Sequence, residues 1–164
     1  ADAVLECAGD RPYILVGRSS GGWVAHAVLE RLEHLRTLGR ARTPETLALM
    51  DAPHPTDHTA LATIETGVVA RGELLGIMDG VRLSAMGAYL RLFRDWLPGP
   101  VETPVVQLRP EEPTIDRDGG AVPPFTWSLP HEVLRVPGDH FTMLEGHVDV
   151  VGRALHDWLA ARGL

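Results

Sequence analysis

The most informative stretch of this sequence is Tyr13-Ile14-Leu15-Val16-Gly17-Arg18-Ser19-Ser20-Gly21. It opens with four apolar residues that favour β-structure, which is typical of a parallel strand covered on both faces. Apolar residues then recur at helical spacing from Gly21 to about Leu38. The pattern predicts a strand, a tight turn carrying Ser19, and a helix. That is the context in which a Gly-x-Ser-x-Gly turn presents a nucleophilic serine.

Such a turn makes specific demands on its residues. We expect glycine at positions 17 and 21 because side chains there would collide with neighbouring backbone. The turn lifts the Ser19 hydroxyl clear of the sheet and directs the helix N-terminus toward the developing negative charge. The amide of Ser20 is the candidate oxyanion donor. A chance glycine-serine turn remains the alternative.

Two other polar residues follow predicted strands, in the order acid, then histidine. Asp51 ends the strand predicted over 46–50, and His140 follows the strand predicted over 132–136. A serine hydroxyl needs a base to become a good nucleophile at neutral pH. We therefore predict that Ser19 attacks, His140 transfers the proton, and Asp51 orients the imidazole and stabilises its charged form.

Several other side chains offer weaker alternatives. Asp139 adjoins His140 and is interpreted as a turn residue, while Asp57 and Asp79 lie in or near an insertion, away from any strand end. His54 and His58 would suggest a metal site, but the prolines around His54 disfavour a helix that presents both rings.

Composition excludes several classes of function. The chain has 164 residues, 45% of them hydrophobic and 23% charged, which fits one globular domain. Its 15 basic residues, all arginine, face 22 acidic ones, and the net charge of −7 argues against nucleic acid or an anionic membrane as partner. Cys7 is the single cysteine. No apolar run is long enough for a membrane span and no signal peptide is evident, so we expect a cytoplasmic protein.

The rest of the pattern completes an α/β class, with a mostly parallel sheet and helices on both faces. A further strand is predicted over 104–108, and residues 111–124 are predicted to be a loop. Between strands, residues from about 58 to 97 are mostly helical and interrupted by glycines, which suits a mobile lid. Thr142 and Glu145 are spaced as a capping box at the start of the last helix.

Later stretches of the chain resemble the thioesterase domains of modular (type I) polyketide synthases, which have the α/β-hydrolase fold. The stretches that carry the likeness are Arg82-Leu83-Ser84-Ala85-Met86-Gly87-Ala88-Tyr89-Leu90-Arg91-Leu92-Phe93, Asp95-Trp96, 104–113, Leu129-Pro130-His131, Pro137-Gly138-Asp139-His140-Phe141-Thr142-Met143 and His156-Asp157-Trp158-Leu159. By position, the family's nucleophile, acid and base fall on Ser19, Asp51 and His140. Where the family usually has histidine, this chain has Arg18.

The resemblance implies a reaction and its partners. A polyketide arrives as a thioester on the phosphopantetheine arm of an acyl carrier protein, and the serine takes the acyl group. Water or a hydroxyl of the chain then releases it as an acid or a macrolactone. The domain itself is expected to bind no cofactor and no metal.

The family's domain extends further at the front, so we expect residues 1–164 to be the C-terminal portion of one such domain, with the early strands missing. The second oxyanion donor would then come from a loop outside these residues, and we expect the fragment alone to be inactive. Any homodimer is expected to form through elements absent here. The alternatives are a stand-alone editing thioesterase or general esterase, and a non-catalytic remnant that docks carrier proteins.

Overall fold

The computed structural model describes residues 1–74, 79–115 and 119–164. Helices and strands alternate over residues 2–74 and occur in consecutive groups after that. In order, they are α1 (Asp2–Ala8), β1 (Leu15–Arg18), α2 (Gly21–Thr37), β2 (Leu47–Met50), α3 (His58–Leu74), α4 (Gly80–Leu92), β3 (Val105–Pro110), β4 (Thr114–Ile115), β5 (Ala121–Val122), β6 (Glu132–Val136), α5 (Thr142–Glu145) and α6 (Val148–Ala160).

Four strands form a parallel sheet in the order β1-β2-β3-β6. Leu47 of β2 lies opposite Leu15 on one side and Val105 on the other. Each predicted strand is present, although the first lies at Leu15–Arg18, two residues later than predicted, and the α/β class is confirmed. The predicted loop 111–124 contains a small antiparallel ladder, in which Thr114 of β4 pairs with Val122 of β5. Strands of two residues are too short to show a hydrophobic alternation, which is why the sequence did not reveal them.

The two faces of the sheet are covered by different helices because side chains alternate along each strand. On one face Leu47, Leu49 and Val105 pack with Trp23 and Leu29 of α2. On the other face the buried residues come from β2, β3, β6, α5 and α6; they are Ala48, Val106, Leu108, Val136, Met143, Val151 and Trp158. The fold is therefore a three-layer α/β arrangement with helices on both faces.

Helices α3 and α4 form the predicted insertion between β2 and β3. Glycines were expected to interrupt it, but Gly67 and Gly87 lie inside continuous helices. At Gly67 a Cβ atom would come within 2.6 Å of the Phe141 ring, so the glycine allows close packing there. Gly76, another expected interruption, lies outside the described residues. No helix in the described ranges has the length and hydrophobicity required to cross a membrane.

The predicted capping box at the last helix is wrong. The structure has two helices there, α5 and α6, which are separated at Gly146 and His147. Oδ1 of Asp139 accepts three hydrogen bonds: from the Thr142 hydroxyl at 2.8 Å, from the amide of Phe141 at 2.9 Å and from the amide of Thr142 at 2.7 Å. Asp139 thus satisfies the free amides that Glu145 was expected to help satisfy. Its interpretation as a turn residue is confirmed.

Candidate active site

The predicted serine turn joins β1 to α2. Ser19 has a φ of 53°, a left-handed conformation that non-glycine residues seldom adopt, and its amide donates to the carbonyl of Met50 at 3.0 Å. A Cβ on Gly17 would lie 2.6 Å from the backbone of Gly22, and one on Gly22 would lie 2.7 Å from Ala52. A Cβ on Gly21 would meet nothing within 4 Å. The steric demand therefore falls on Gly17 and Gly22, and the expectation for Gly21 is wrong.

The candidate acid and base are joined directly. The Nδ1 atom of His140 lies 2.8 Å from Oδ2 of Asp51, and each side chain is only 1% exposed. The other carboxylate oxygen, Oδ1, accepts the backbone amide of Phe125 at 3.1 Å. Asp51 follows β2 and has a φ of 41°, so both described non-glycine residues with positive φ belong to the predicted triad. A charged acceptor at Nδ1 leaves Nε2 of the imidazole free to accept a proton.

Aromatic rings enclose the imidazole of His140. Phe125 meets it at a centroid distance of 5.3 Å, and Phe141 at 5.0 Å with the planes at 90°. The backbone amide of His140 faces the Thr114 hydroxyl at 3.3 Å. The ring is therefore held by packing on two sides and by a carboxylate on a third, which restricts its rotation.

Ser19 lies at the same end of the sheet but is not hydrogen-bonded to the imidazole. Among the described residues, its hydroxyl makes no hydrogen bond. The strand end that carries it is nevertheless tied to the histidine loop, because Nη2 of Arg18 donates to the carbonyl of His140 at 2.8 Å. In free enzymes, catalytic hydrogen bonds of this kind are often long and tighten only with substrate bound.

Arg18, at the end of β1, places a positive charge close to the backbone of His140. Burial lowers the pKa of its guanidinium below the ordinary value, while the carboxylates of Glu145 and Asp51 act in the opposite direction. An arginine remains protonated under such opposing effects. Its Nε atom is buried and has no hydrogen-bond partner in the described ranges. Arg18 stands where the resemblance predicted histidine. It therefore adds a cation, and in the described ranges this cation donates a hydrogen bond to the His140 carbonyl.

The insertion formed by α3 and α4 contacts the serine turn through Tyr89 of α4. Its hydroxyl donates to the carbonyl of Ser20 at 2.8 Å, and burial raises the pKa of this phenol. Beside it, between α3, α4 and the first turns of α2, lies a cavity of about 440 Å³. Its apolar wall includes Trp23, Leu61 and Phe93. Its lining also includes the polar side chains of His58, Arg91 and Arg94, and none of Ser19, Asp51 and His140 lines it.

Some contributors to the site were not predicted from the sequence. Phe125, which supplies a backbone amide to Asp51, lies in a segment without a motif. Gln107 donates to the Phe125 carbonyl at 3.1 Å, and the available signal was a polar residue within an apolar strand. For the metal alternative, Nδ1 of His54 faces the Thr56 hydroxyl at 2.8 Å. The described part of the chain holds no group of three histidine, cysteine, aspartate or glutamate side chains arranged for a metal.

The comparisons with known proteins bear on the family and the fold of the chain. No family model matches the chain. It is 36% identical over 165 residues to the polyketide synthase GfsE of Streptomyces halstedii, covering 98% of this chain and 4% of that protein. It is 34% identical over 171 residues to the spectinabilin polyketide synthase system protein NorC of Streptomyces orinoci, covering 97% of this chain and 7% of that protein. The chain thus spans less than a tenth of these synthases.

Solved structures place the fold in the same group. The RedJ thioesterase from the prodiginine biosynthetic pathway of Streptomyces coelicolor superposes with a TM-score of 0.57 at 25% identity. The superposition covers 94% of this chain and 65% of that one. The predicted α/β-hydrolase fold is therefore confirmed.

Proposed function

Since this chain belongs to the thioesterase domains of polyketide synthases, which have the α/β-hydrolase fold, we propose that it is a serine thioesterase. Its substrate would be a polyketide acyl chain held as a thioester on an acyl carrier protein. The observation that carries the proposal is the buried 2.8 Å contact between Asp51 and His140, two residues 89 positions apart. A buried carboxylate–imidazole pair beside a strained serine turn has the composition of a serine-hydrolase proton relay.

The first half of the reaction forms an acyl-serine. Nε2 of His140 takes the proton of the Ser19 hydroxyl while the serine oxygen attacks the thioester carbonyl carbon. The amide of Ser20 donates to the resulting oxyanion, and the second donor is expected from a loop after an earlier strand. The carbon–sulfur bond then breaks, and the imidazolium returns its proton to the departing sulfur. Asp51 keeps its charge throughout and stabilises the imidazolium.

The second half releases the chain. Water, or a hydroxyl of the acyl chain, gives its proton to His140 and attacks the ester carbonyl. The bond to the Ser19 oxygen breaks, and that oxygen recovers the proton. The product is an acid in the first case and a macrolactone in the second. The path of the acyl chain in the site and the exclusion of water from it would determine which nucleophile reaches the carbonyl.

A fluorophosphonate probe tests the serine mechanism directly. Applied to the complete thioesterase domain, which includes the second oxyanion donor, the probe should form one covalent adduct on Ser19, detected by intact mass, and the adduct should be absent in Ser19→Ala. Ser20→Ala is the matched control, because it removes the neighbouring hydroxyl and keeps the backbone amide that we assign to the oxyanion. Labelling that persists in Ser19→Ala, or that is lost only in Ser20→Ala, contradicts the proposal.

The substrate class needs a separate measurement. We expect release from a long acyl chain on an acyl carrier protein to be much faster than hydrolysis of simple short-chain esters. Mass spectrometry of the product then distinguishes the acid from the lactone. Equal rates on both substrate classes would favour a general esterase, and an unlabelled protein that still binds the carrier would favour a docking module.

A further inference from the structure

A polar side chain lies in the core of β3, where its neighbours are apolar. Gln107 is fully buried, between Val106 and Leu108 on a strand whose other inward residues are hydrophobic. Its Nε2 atom donates to the carbonyl of Phe125 at 3.1 Å. Its Oε1 atom is buried and has no hydrogen-bond partner in the part of the chain that the structure describes. An unpaired buried oxygen is unfavourable, so stability alone does not account for a glutamine here.

The backbone that Gln107 holds is the one that contacts the candidate acid. The amide of Phe125 donates to Oδ1 of Asp51 at 3.1 Å, while Oδ2 faces Nδ1 of His140 at 2.8 Å. The Phe125 ring also packs edge-on against the imidazole. Phe125 therefore contacts both members of the pair, and Gln107 fixes Phe125 through its carbonyl.

We propose that Gln107 is a positioning residue that sets the orientation of the Asp51 carboxylate through the backbone of Phe125. This inference rests on the proposed function. Gln107 transfers no proton and touches no reacting atom. With its donor removed, the Phe125 segment is free to shift, Oδ1 of Asp51 loses a fixed partner, and the carboxylate can rotate away from His140.

Gln107→Leu tests the proposal, because it removes the donor and keeps a similar volume. The change deletes the unpaired Oε1 atom and leaves the Phe125 carbonyl unpaired, so the two effects on stability oppose each other. We expect a near-unchanged unfolding midpoint, an unchanged KM and a kcat lower by about tenfold to a hundredfold, as for a misplaced catalytic group. Val106→Ala is the control: it lies on the other face of β3, and it should lower stability while leaving kcat unchanged.

A spectroscopic signal makes the test independent of turnover. The hydrogen-bonded Nδ1 proton of His140 should give a downfield ¹H resonance, assigned by its loss in Asp51→Asn. Gln107→Leu should shift or broaden that resonance, and Val106→Ala should preserve it. An unchanged resonance and an unchanged kcat in Gln107→Leu overturn the inference. If the unsubstituted protein fails to react with the fluorophosphonate, the proposed function fails, while the resonance still reports on Gln107.

Discussion

The described non-glycine residues with positive φ lie at the end of the sheet that carries the candidate site. Ser19 and Asp51 both adopt positive φ, at 53° and 41°. Such conformations cost about 1–3 kcal/mol each and persist only where the surrounding structure enforces them. At Ser19 the enforcement comes from close contact between Gly17 and Gly22, and from a hydrogen bond to Met50. The strain holds the hydroxyl out of the sheet, where a proton acceptor can reach it.

Alanine substitutions at the three glycines of the turn should separate their roles. Gly17→Ala and Gly22→Ala place a methyl group within 2.6–2.7 Å of fixed atoms, so each should lower the unfolding free energy by about 1–3 kcal/mol. Gly21→Ala meets no atom within 4 Å and should stabilise the protein by about 0.4–1 kcal/mol through the unfolded chain. Urea denaturation measures all three. A Gly21→Ala loss equal to the other two contradicts this assignment.

Arg18 should support the position of His140 through its contact with the backbone. Arg18→Met removes the 2.8 Å hydrogen bond to the His140 carbonyl and takes away a buried charge. We expect the second-order rate of fluorophosphonate labelling to fall by about tenfold, because the base moves relative to Ser19. Arg18→Lys keeps the charge with a shorter donor and should recover part of the rate. Equal rates in the original protein and Arg18→Met would show that the contact is incidental.

At the scale of single residues, the sequence predicted that Asp51 and His140 lie together but not how they are held. Asp51 and His140 end or follow apolar strands, and parallel strands bring such positions to one edge. The backbone amide of Phe125 that contacts Asp51 could not be predicted, because main-chain donors carry no sequence signal. The requirement for glycine was misplaced by one residue, because close approach between β1 and α2 depends on the path of the helix.

Among the helices and strands, α5 shows why a spacing rule failed. Thr142 and Glu145 have the spacing of a capping box. Asp139 lies three residues earlier and accepts three hydrogen bonds at the start of α5. The short side chain of Asp139 reaches these amides directly, whereas the longer side chain of Glu145 would have to turn back along the helix. Asp139 therefore accepts the free amides at the start of α5. Asp79 caps α4 in a similar way, by accepting the amide of Arg82 at 2.8 Å.

The stability that Asp139 contributes should depend on pH. Burial alone raises the pKa of this carboxyl, but the hydrogen bonds from Thr142 and Phe141 hold it below the ordinary value of 3.8. A lowered folded-state pKa means that the contribution is complete above the unfolded-state pKa and is lost as the pH falls through the folded-state pKa. Asp139→Ala should therefore cost about 1–2 kcal/mol at pH 7, and this cost should begin to decline near pH 3.8 and become small once the pH is below the lowered folded-state pKa.

Urea denaturation of both proteins across this pH range measures the difference. Asp139→Asn is the control, since it keeps an uncharged acceptor, and it should lose less stability than the alanine variant at pH 7. A loss in Asp139→Ala that stays constant down to the acid limit would show that the carboxylate charge plays no part.

At the scale of the whole molecule, β1, the strand that precedes Ser19, lies at one edge of the described sheet. β1 pairs with β2 on one side and with none of the described strands on the other. Val16 on this strand is 48% exposed, and the one charged residue of β1, Arg18, reaches across to His140. The backbone groups on this side lack the exposed charge that protects most edge strands.

The opposite edge is protected. On β6, the carboxylate of Glu132 forms an ion pair with Arg162 and accepts a hydrogen bond from Nε1 of Trp158 at 3.2 Å. Arg135 of the same strand is exposed. The two edges of one sheet therefore differ in charge. An unprotected parallel edge favours pairing with another chain, whereas charged side chains oppose it.

We therefore expect purified residues 1–164 to associate in a concentration-dependent manner through β1. Val16→Lys should reduce the average mass in sedimentation equilibrium, and it should change the unfolding free energy by no more than about 0.5 kcal/mol because the side chain is half exposed. Val133→Lys on β6, where the residue is 43% exposed, is the matched control and should leave association unchanged. A monomer at every concentration, or an equal effect of both substitutions, would show that the β1 edge does not drive association.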